Sequence, residues 1–248
     1  MLLNKKEIEQ MRENAKVHKE VFTELKKVIA PWVTGKQIDK ICWDICKKHD
    51  MYAWFKWVYD FPANLCLSVN NVVVHGLPRA EIIFQEWDLA TFDFWVKDKK
   101  YWVNTDAAFS VVVGGDKHNN VAAEMIEVNK KALKAWIKKA RAWNRIGDIS
   151  HAIQKVVDKS PFHIVKELTG HGIGKTLHEK PYVYNYGRAW TGPLIKKGML
   201  LAIEPILWET SWKIVDEWDW EIFIADGSLG CQYEHTILIT DDEPEIII

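Results

Sequence analysis

The fold of this chain is decided by WDLATFDFWV at residues 87–96 and YWVNTDAAFSV at residues 101–111, which the polar segment KDKK joins. Both runs are rich in β-branched and aromatic residues, so they predict an antiparallel hairpin with a four-residue loop. Each run carries one aspartate among apolar neighbours, Asp93 in the first and Asp106 in the second. A lone carboxylate buried there would cost several kcal/mol or take up a proton, so two of them on paired strands indicate a shared cation.

Length and charge bound the class of protein. The 248 residues contain no Pro/Gly/Ser-rich linker, which predicts a single domain over residues 1–248. Lys and Arg number 33 and Asp and Glu 34, so the net charge of -1 gives no electrostatic footprint for nucleic acid or an anionic membrane. We therefore expect neither partner. The N-terminal residues lack an apolar core of signal-peptide length, and we expect a cytoplasmic protein.

The four cysteines fit no zinc-ribbon spacing. Cys42 and Cys46 fall one turn apart on a predicted helix. Because disulfides are rare in a reducing compartment, we expect buried free thiols at Cys42, Cys46, Cys66 and Cys231.

Apolar spacing predicts the remaining elements. Apolar residues that recur at intervals of three, four and seven positions predict amphipathic helices over 5–29, 34–49, 119–141 and 149–157. Runs rich in β-branched residues predict short strands at 65–69 and 72–74, joined by an Asn-Asn turn, and later at 199–203, 212–215, 221–224 and 233–239.

The order of elements repeats when the sequence is shifted on itself by 111 positions. Leu89 to Asp93 then falls on Leu200 to Glu204, so the acid of the first hairpin has a counterpart in the second half. Each half has a long helix, a short helix, strands and an acid-bearing strand pair. We predict an α+β fold of two pseudo-twofold related halves, approximately 1–114 and 115–248, with a central antiparallel sheet flanked by helices.

A fourth acid, Glu234, lies in the apolar strand QYEHTI. Asp93, Asp106, Glu204 and Glu234 are thus predicted to converge. Close like charges raise one another's pKa strongly, so two divalent ions fit this number of carboxylates better than one. His171, between glycines, offers a nitrogen ligand. Such a set suits Mn, Fe(II), Co or Zn, and the sequence does not choose among them.

These residues and their contexts resemble the methionine aminopeptidases, type I, of the pita-bread fold. The similarity covers nearly the whole chain. It is carried by Asp93 and Asp106 together with FPANLC at 61–66, HG at 75–76, TGHGIG at 169–174, IEP at 203–205 and YEHT at 233–236.

The resemblance implies a role for each of these residues. The metal ligands would be Asp93, Asp106, His171, Glu204 and Glu234, with Asp106 and Glu234 bridging two divalent ions. The catalytic residues would be Glu204, as the base, with His178 and His75. The substrate-binding residues would be His75, His178, Phe61, Cys66, Leu177 and Trp220.

The resemblance also implies the reaction. We expect dinuclear metal-assisted hydrolysis that removes the initiator methionine from nascent chains and from peptides with N-terminal methionine, preferring small residues next in line. The protein would act as a monomer without direct recognition of nucleic acid, and association with the ribosome is left open. Two alternatives remain: an Xaa-Pro aminopeptidase or prolidase of the same fold, and a non-catalytic binding module.

Two features depart from the family pattern. Asp93 and Asp106 are 13 positions apart, a longer gap than usual, which lengthens the loop without changing the face of either side chain. The chain also has 14 tryptophans, several at positions where the family usually has glycine: Trp57, Trp87, Trp95 and Trp143. If these positions need a positive φ, each tryptophan would cost about 1 to 2 kcal/mol. One hypothesis is that a codon meaning glycine in the source has been read as tryptophan.

Overall fold

A computed structural model describes residues 2–58, 60–210, 213–216 and 220–248. Its α-helices are α1 (Lys5–Val28), α2 (Gly35–Lys48), α3 (Asn120–Ile137) and α4 (Ile146–Val157). The first two begin at capping boxes, in which the side chains of Asn4 and Thr34 accept hydrogen bonds from backbone amides of the first turn. None of the described helices has the length and apolarity that a membrane span requires.

The strands are short apart from one long hairpin. They are β1 (Tyr52–Ala53), β2 (Cys66–Val69), β3 (Val72–Val74), β4 (Leu89–Lys97), β5 (Asn104–Val112), β6 (His163–Ile164), β7 (Thr169–Gly172), β8 (Glu179–Tyr184), β9 (Leu200–Ile203), β10 (Ile206–Trp208), β11 (Ile214–Asp216), β12 (Ile222–Ile224), β13 (Gly230–Gln232), β14 (His235–Leu238) and β15 (Glu245–Ile246). Trp212, assigned to a strand from the sequence, lies outside the described residues.

Antiparallel pairing joins these strands into sheets. One sheet has the order β1-β4-β2 with β5 also paired to β4, and another has the order β15-β14-β9-β7-β8. Two smaller sheets have the orders β13-β10-β6 and β11-β12-β3. The first sheet belongs to the first half of the chain and the five-stranded sheet to the second. The predicted arrangement of two halves with antiparallel sheets and covering helices is confirmed.

The β4-β5 hairpin has a longer turn than the sequence predicted. The strands pair from Leu89 opposite Val112 to Lys97 opposite Asn104. Residues 98–103 form the turn, so the predicted four-residue loop is wrong. The reason is Asp98, whose carboxylate accepts hydrogen bonds from the amides of Lys100 (2.9 Å), Tyr101 (2.5 Å) and Val103 (2.9 Å). These bonds satisfy the turn's backbone without strand pairing.

Each half has its own hydrophobic core beneath its pair of helices. The first packs α1 and α2 against the hairpin through residues such as Met11, Ile38 and Phe92. The second packs α3 and α4 against β9 and β14 through residues such as Met125 and Leu201. The two halves meet where β14 contacts β5, next to Asp106 and Glu234.

The offset of 111 positions recurs in the backbone hydrogen bonds. The amide of Trp32 donates to the carbonyl of Phe84 at 2.9 Å, and its counterpart Trp143 donates to Ile195 at 3.0 Å. The same shift relates a second pair of hydrogen bonds, in which the amide of Gly35 donates to Ile82 at 2.9 Å and the amide of Ile146 donates to Pro193 at 3.0 Å. It also relates the isolated β-bridge of Thr34 with Ile83 to that of Arg145 with Leu194. The entry to the short helix is thus built in the same way twice.

Several tryptophans lie in the left-handed backbone region. Their φ angles lie between 59° and 77°, at Trp32, Trp102, Trp143, Trp190 and Trp220. The expectation of a positive φ is therefore correct at Trp143 and wrong at Trp57, Trp87 and Trp95. Trp95 lies inside β4, where its backbone is extended, and its indole N–H donates to Asn104 at 2.8 Å.

The sequence predicts that His18 lies on a solvated helix face, but the side chain is buried. His18 has no exposed surface and packs edge to face on Phe22 and Phe94, at 4.6 and 5.2 Å between ring centroids. Burial lowers its pKa to about 3, so the ring is neutral. The sequence concealed this because His18 lies among charged residues of α1. The four cysteines are buried free thiols, as expected.

Candidate metal centre

The hairpin supplies two acids on one face. Asp93 on β4 is opposite Ala108 on β5, and Trp95 is opposite Asp106. Because side chains alternate along a strand, Asp93, Trp95 and Asp106 point to the same side of the sheet. The two carboxylates are diagonal neighbours across the hairpin. The longer turn leaves this register intact.

The second half delivers Glu234 to the same place. The amide of Glu234 donates to the carbonyl of Ala108 at 2.9 Å. Two residues on, the hydroxyl of Thr236 donates to the carbonyl of Asp106 at 2.7 Å and accepts from the Asp106 amide at 3.0 Å. These bonds join β14 to β5 across the boundary between the halves and fix the distance between Glu234 and Asp106.

The strands β7 and β9 position His171 and Glu204. His171 is opposite Ala202 in the register, and Glu204 follows β9 directly, with 3.6 Å between the His171 Nε2 and Glu204 Oε1 atoms. The glycines beside His171 serve strand packing: a Cβ at Gly170 would lie 2.5 Å from the Ala202 carbonyl oxygen. The role of these glycines is thus to permit a close approach between neighbouring strands.

All five predicted ligands lie together. Donor atoms of Asp106, His171 and Glu234 are within 4.8 Å of one another, and all three residues are buried. The carboxyl of Asp93 lies within hydrogen-bonding reach of Asp106, and Glu204 lies beside His171. One oxygen each of Asp93, Asp106 and Glu234 is buried with no hydrogen-bond partner in the part of the chain that the structure describes.

The electrostatics of the cluster are those of crowded, desolvated carboxylates. Burial raises the pKa of Asp93 to about 7. Burial, followed by the charges of neighbouring acids, raises the pKa of Asp106 and Glu234 well above the usual range, and burial and Asp93 do the same for Glu204. Burial lowers the pKa of His171 to about 4, so its ring is neutral and can act as a ligand.

The residues present fit a divalent cation. Buried carboxylate oxygens without partners cost free energy unless a cation or a proton satisfies them. Oxygen ligands with one neutral imidazole suit Mn, Fe(II), Co or Zn. A bound cation would satisfy the unpartnered oxygens of Asp93, Asp106 and Glu234 and remove the repulsion that raises their pKa values.

Two further histidines border the cluster. The ring of His178 packs edge to face on His171, with 4.5 Å between centroids. His75 follows β3 with a φ of 58° and is exposed to a cavity. Desolvation and then the charge of His178 lower the pKa of His75, which indicates that the two imidazoles lie near each other. His178 thus packs directly on His171, and His75 lies near His178 at the cavity.

The predicted pocket residues are brought together in part. Phe61 and Cys66 share a buried cluster against which Trp220 packs, with 5.8 Å between the Phe61 and Trp220 rings. Cys66 is opposite Asp93 in the strand register, so this cluster adjoins the acids. A cavity of about 640 Å³ opens beside it, lined by His75, Asp216, Trp220 and Ile222. Leu177 lies apart, in the larger core of the first half.

Two residues near the site were missed at the sequence level. Gln232 donates from Nε2 to Glu204 Oε2 at 3.2 Å. Glu221 is buried, and its carboxylate accepts hydrogen bonds from the amide of Leu77 at 2.9 Å and from Arg79 at 2.6 Å. Gln232 is two residues before Glu234, so strand alternation could have indicated that both face the same side.

Four carboxylates and an imidazole, gathered where the two halves join, are a donor set typical of metallohydrolases. Residues 9–241 match the model of metallopeptidase family M24. The methionine aminopeptidase of Clostridium acetobutylicum is 37% identical over 100% of this chain and 98% of its own length, and methionine aminopeptidase 1 of Bacillus subtilis is 34% identical over 96% and 94%. The chain therefore belongs to the methionine aminopeptidases of metallopeptidase family M24.

Solved structures agree with this assignment. The crystal structure of methionine aminopeptidase from Thermotoga maritima has a TM-score of 0.95 and 35% identity, covering 100% of this chain and 98% of that one. The prolidase from Pyrococcus furiosus has a TM-score of 0.74 at 18% identity, covering 99% of this chain and 64% of that one, and shows the fold alone. The predicted family and pita-bread fold are confirmed, and the family implies use of a divalent metal.

Proposed function

We propose that this protein hydrolyses the peptide bond after an N-terminal methionine, and that nascent chains are its substrate. The observation that carries the proposal is the convergence of Asp106, His171 and Glu234 donor atoms within 4.8 Å, beside Asp93 and Glu204. The relatives that match along nearly their full lengths are methionine aminopeptidases. Substrates of this kind are met in the cytoplasm, so we propose that compartment.

We propose two divalent ions at this centre, held by Asp93, Asp106, His171, Glu204 and Glu234. Four carboxylates carry more negative charge than one divalent ion balances. When bound, such ions lower the pKa of water and polarise a carbonyl group. The donor chemistry admits Co, Mn, Fe or Zn.

The protein residues would handle the protons. Desolvation and Asp93 raise the pKa of Glu204, which suits a carboxylate that accepts a proton from water near neutral pH. Gln232 donates a hydrogen bond to the Oε2 atom of Glu204 and holds that oxygen in place. His178, beside His171, would donate a hydrogen bond to the oxyanion that develops on the scissile carbonyl, and His75 would contact the substrate from the other side of the cavity.

The apolar cluster beside the acids would select methionine. Phe61 and Cys66 form a buried cluster against Trp220, which lines the cavity, and a flexible thioether fits such a surface well. The free amino group of the substrate would lie toward Asp93, next to Cys66 in the register. We further propose one catalytic domain over residues 1–248, with halves of approximately 1–114 and 115–248, acting as a monomer.

Peptide hydrolysis by metal-loaded protein tests this proposal. Met-Ala-Ser and Xaa-Pro peptides are incubated with protein loaded separately with Mn, Co, Fe(II) or Zn. We expect release of methionine from Met-Ala-Ser, its loss on chelation, and a fall of at least about 100-fold in the E204Q variant. The surface variant D116N is the control and should keep full activity. Cleavage of Xaa-Pro peptides instead, or no cleavage with any metal, would contradict the proposal.

A further inference from the structure

A groove of about 840 Å³ lies between α3 and α4, on the solvent-exposed side of the second half. Small apolar residues form its floor, among them Val128, Ala135 and Ala152. Exposed lysines from both helices and the residues that follow them form its walls. We call this surface the lysine groove; its cations are Lys131, Lys134, Lys138, Lys139, Lys155 and Lys159.

Lysines outnumber acids at the groove: Asp148 lines it, and Glu127, which pairs with Lys130, lies near Lys131 and Lys134. Within the described ranges, none of its six lysines forms an ion pair. Lys130, on the adjoining face of α3, does pair with Glu127 at 2.9 Å. An acid, Asp148, lines the groove, but its carboxylate accepts hydrogen bonds from the amides of Arg145 at 2.8 Å and Trp190 at 2.9 Å.

The internal repeat supplies a comparison for this surface. The equivalent face of the first half, on α1 and α2, carries both signs of charge. There Lys48 pairs with Glu20 at 2.8 Å, Lys27 pairs with Glu24 at 2.7 Å, and Lys40 pairs with Asp44. Solvated helix faces usually mix charges in this way. The second half departs from that pattern, although the whole chain has a net charge of -1.

We propose that the lysine groove binds the phosphate backbone of RNA. Lysines on α3 and just after it, and on α4 and just after it, flank the groove, and this arrangement suits a linear polyanion. Lysine acts as a point charge toward phosphate and carries no base specificity, so binding would be independent of sequence. A planar anionic membrane would reach only the rims of such a channel. The net charge of the whole chain gives no sign of this basic surface. The expectation of no contact with nucleic acid was based on that net charge.

The test measures binding of a labelled RNA hairpin of mixed sequence. Fluorescence anisotropy reports the affinity at each of a series of salt concentrations. The groove variant replaces Lys134, Lys138 and Lys159 with glutamine. The matched control replaces Lys27, Lys40 and Lys48, which lie on the equivalent face of the first half. Hydrolysis of Met-Ala-Ser by all three proteins checks that each is folded, since these lysines lie away from the metal ligands.

We expect the wild-type protein to bind the hairpin and the groove variant to lose about tenfold or more in affinity. The slope of log affinity against log salt should become shallower by about 2 to 3, as expected for three lost phosphate contacts, while the affinity of the control changes less than about twofold. Equal losses in the two variants, or no binding by the wild type at low salt, would overturn the proposal. So would binding to vesicles of phosphatidylglycerol and phosphatidylcholine with none to RNA.

Discussion

At Trp32 and Trp143 the backbone, and not the side chain, has a structural role. Both amides donate to equivalent carbonyls at the entry to a short helix, and both residues have φ above 70°. Their side chains are 75% and 81% exposed, so the indoles add little packing. The left-handed region costs an L-residue with a Cβ about 1 to 2 kcal/mol and costs glycine almost nothing. Nothing in the structure explains why tryptophan occupies these turns.

Replacing Trp143 with glycine should therefore stabilise the protein. We expect W143G to raise the free energy of unfolding by about 1 kcal/mol, the relief of strain less the entropy that glycine loses on folding. Urea denaturation measures the change. The control is W87G, because Trp87 is also exposed but has no positive φ, and it should leave stability unchanged or lower it. Equal effects in the two variants would mean that strain at Trp143 is negligible.

The same backbone angles sharpen the hypothesis of a misread codon. Trp32, Trp102, Trp143 and Trp190 have left-handed φ angles and exposed side chains. Peptide mass spectrometry of the protein purified from its own source should find glycine at these four positions. Tryptophan in those peptides, together with ordinary tryptophan codons in the gene, would exclude the hypothesis and leave strain as the only consequence.

At the scale of elements, local pattern was enough to predict the helices and the long hairpin. Apolar spacing located α1 to α4, and the aromatic runs located β4 and β5, because each of these elements buries one face against its own half. The turn of the hairpin was not predictable in the same way, since its length depends on three amides meeting the carboxylate of Asp98. His18 was misassigned because burial by β4 and β5 is a tertiary effect.

Glu221 illustrates a contact between elements that the sequence conceals. Glu221 lies 144 residues from Leu77 in the sequence and accepts a hydrogen bond from the Leu77 amide. It also forms an ion pair with Arg79. Both partners are in the segment that follows β3 and begins with His75, while Glu221 directly precedes β12, the strand paired to β3. Because His75 has a φ of 58°, this segment is held in a strained conformation. We therefore expect Glu221 to position His75 through this segment.

The variant E221Q should lower activity without removing the metal. Glutamine keeps a carbonyl oxygen for the Leu77 amide but loses the ion pair to Arg79, so the segment that carries His75 gains freedom. We expect kcat on Met-Ala-Ser to fall about tenfold, with metal content unchanged. R79Q should reproduce the fall, and R141Q, which removes an exposed ion pair with Glu243, should not. Loss of metal from E221Q, or unchanged kcat, would contradict a positioning role.

At the scale of the whole molecule, the five predicted metal ligands converge where the two halves join. The hairpin contributes Asp93 and Asp106, and the second half contributes the other three. The sequence could predict this convergence because isolated acids in apolar strands, related by one repeat, need a common neighbour. It could not predict which of Phe61, Cys66, Leu177 and Trp220 share a cluster, since their loops are positioned by contacts across the join. Residues 217–219, beside Trp220, lie outside the described ranges.

The crowded acids predict an unusual pH dependence for metal-free protein. An unfolded aspartate has a pKa near 3.8, and the folded value for Asp93 is about 7. The folded state then binds more protons than the unfolded state between these values, so the Asp93 contribution to stability falls as pH rises from about 4 to about 7. Bound divalent metal should abolish this fall because it favours the charged carboxylate.

Urea unfolding of metal-free wild type and D93N at several pH values isolates this contribution. The difference in free energy of unfolding, wild type minus variant, should decrease steadily with rising pH across the window. Subtraction removes the opposite contributions of His18 and His171, whose folded pKa values are lowered to about 3 and about 4. A difference that is constant or increases with pH would mean that Asp93 is not desolvated among like charges.

The most direct test of the whole account is a metal titration. Metal-free protein receives increasing Mn, Co, Fe(II) or Zn while hydrolysis of Met-Ala-Ser and bound metal are measured together. We predict no hydrolysis without metal, hydrolysis that rises with occupancy, and weakened binding with lost hydrolysis in D106N, the ligand at the centre of the cluster. Full hydrolysis in the presence of excess chelator, or a D106N variant that binds metal and cleaves like the wild type, would contradict it.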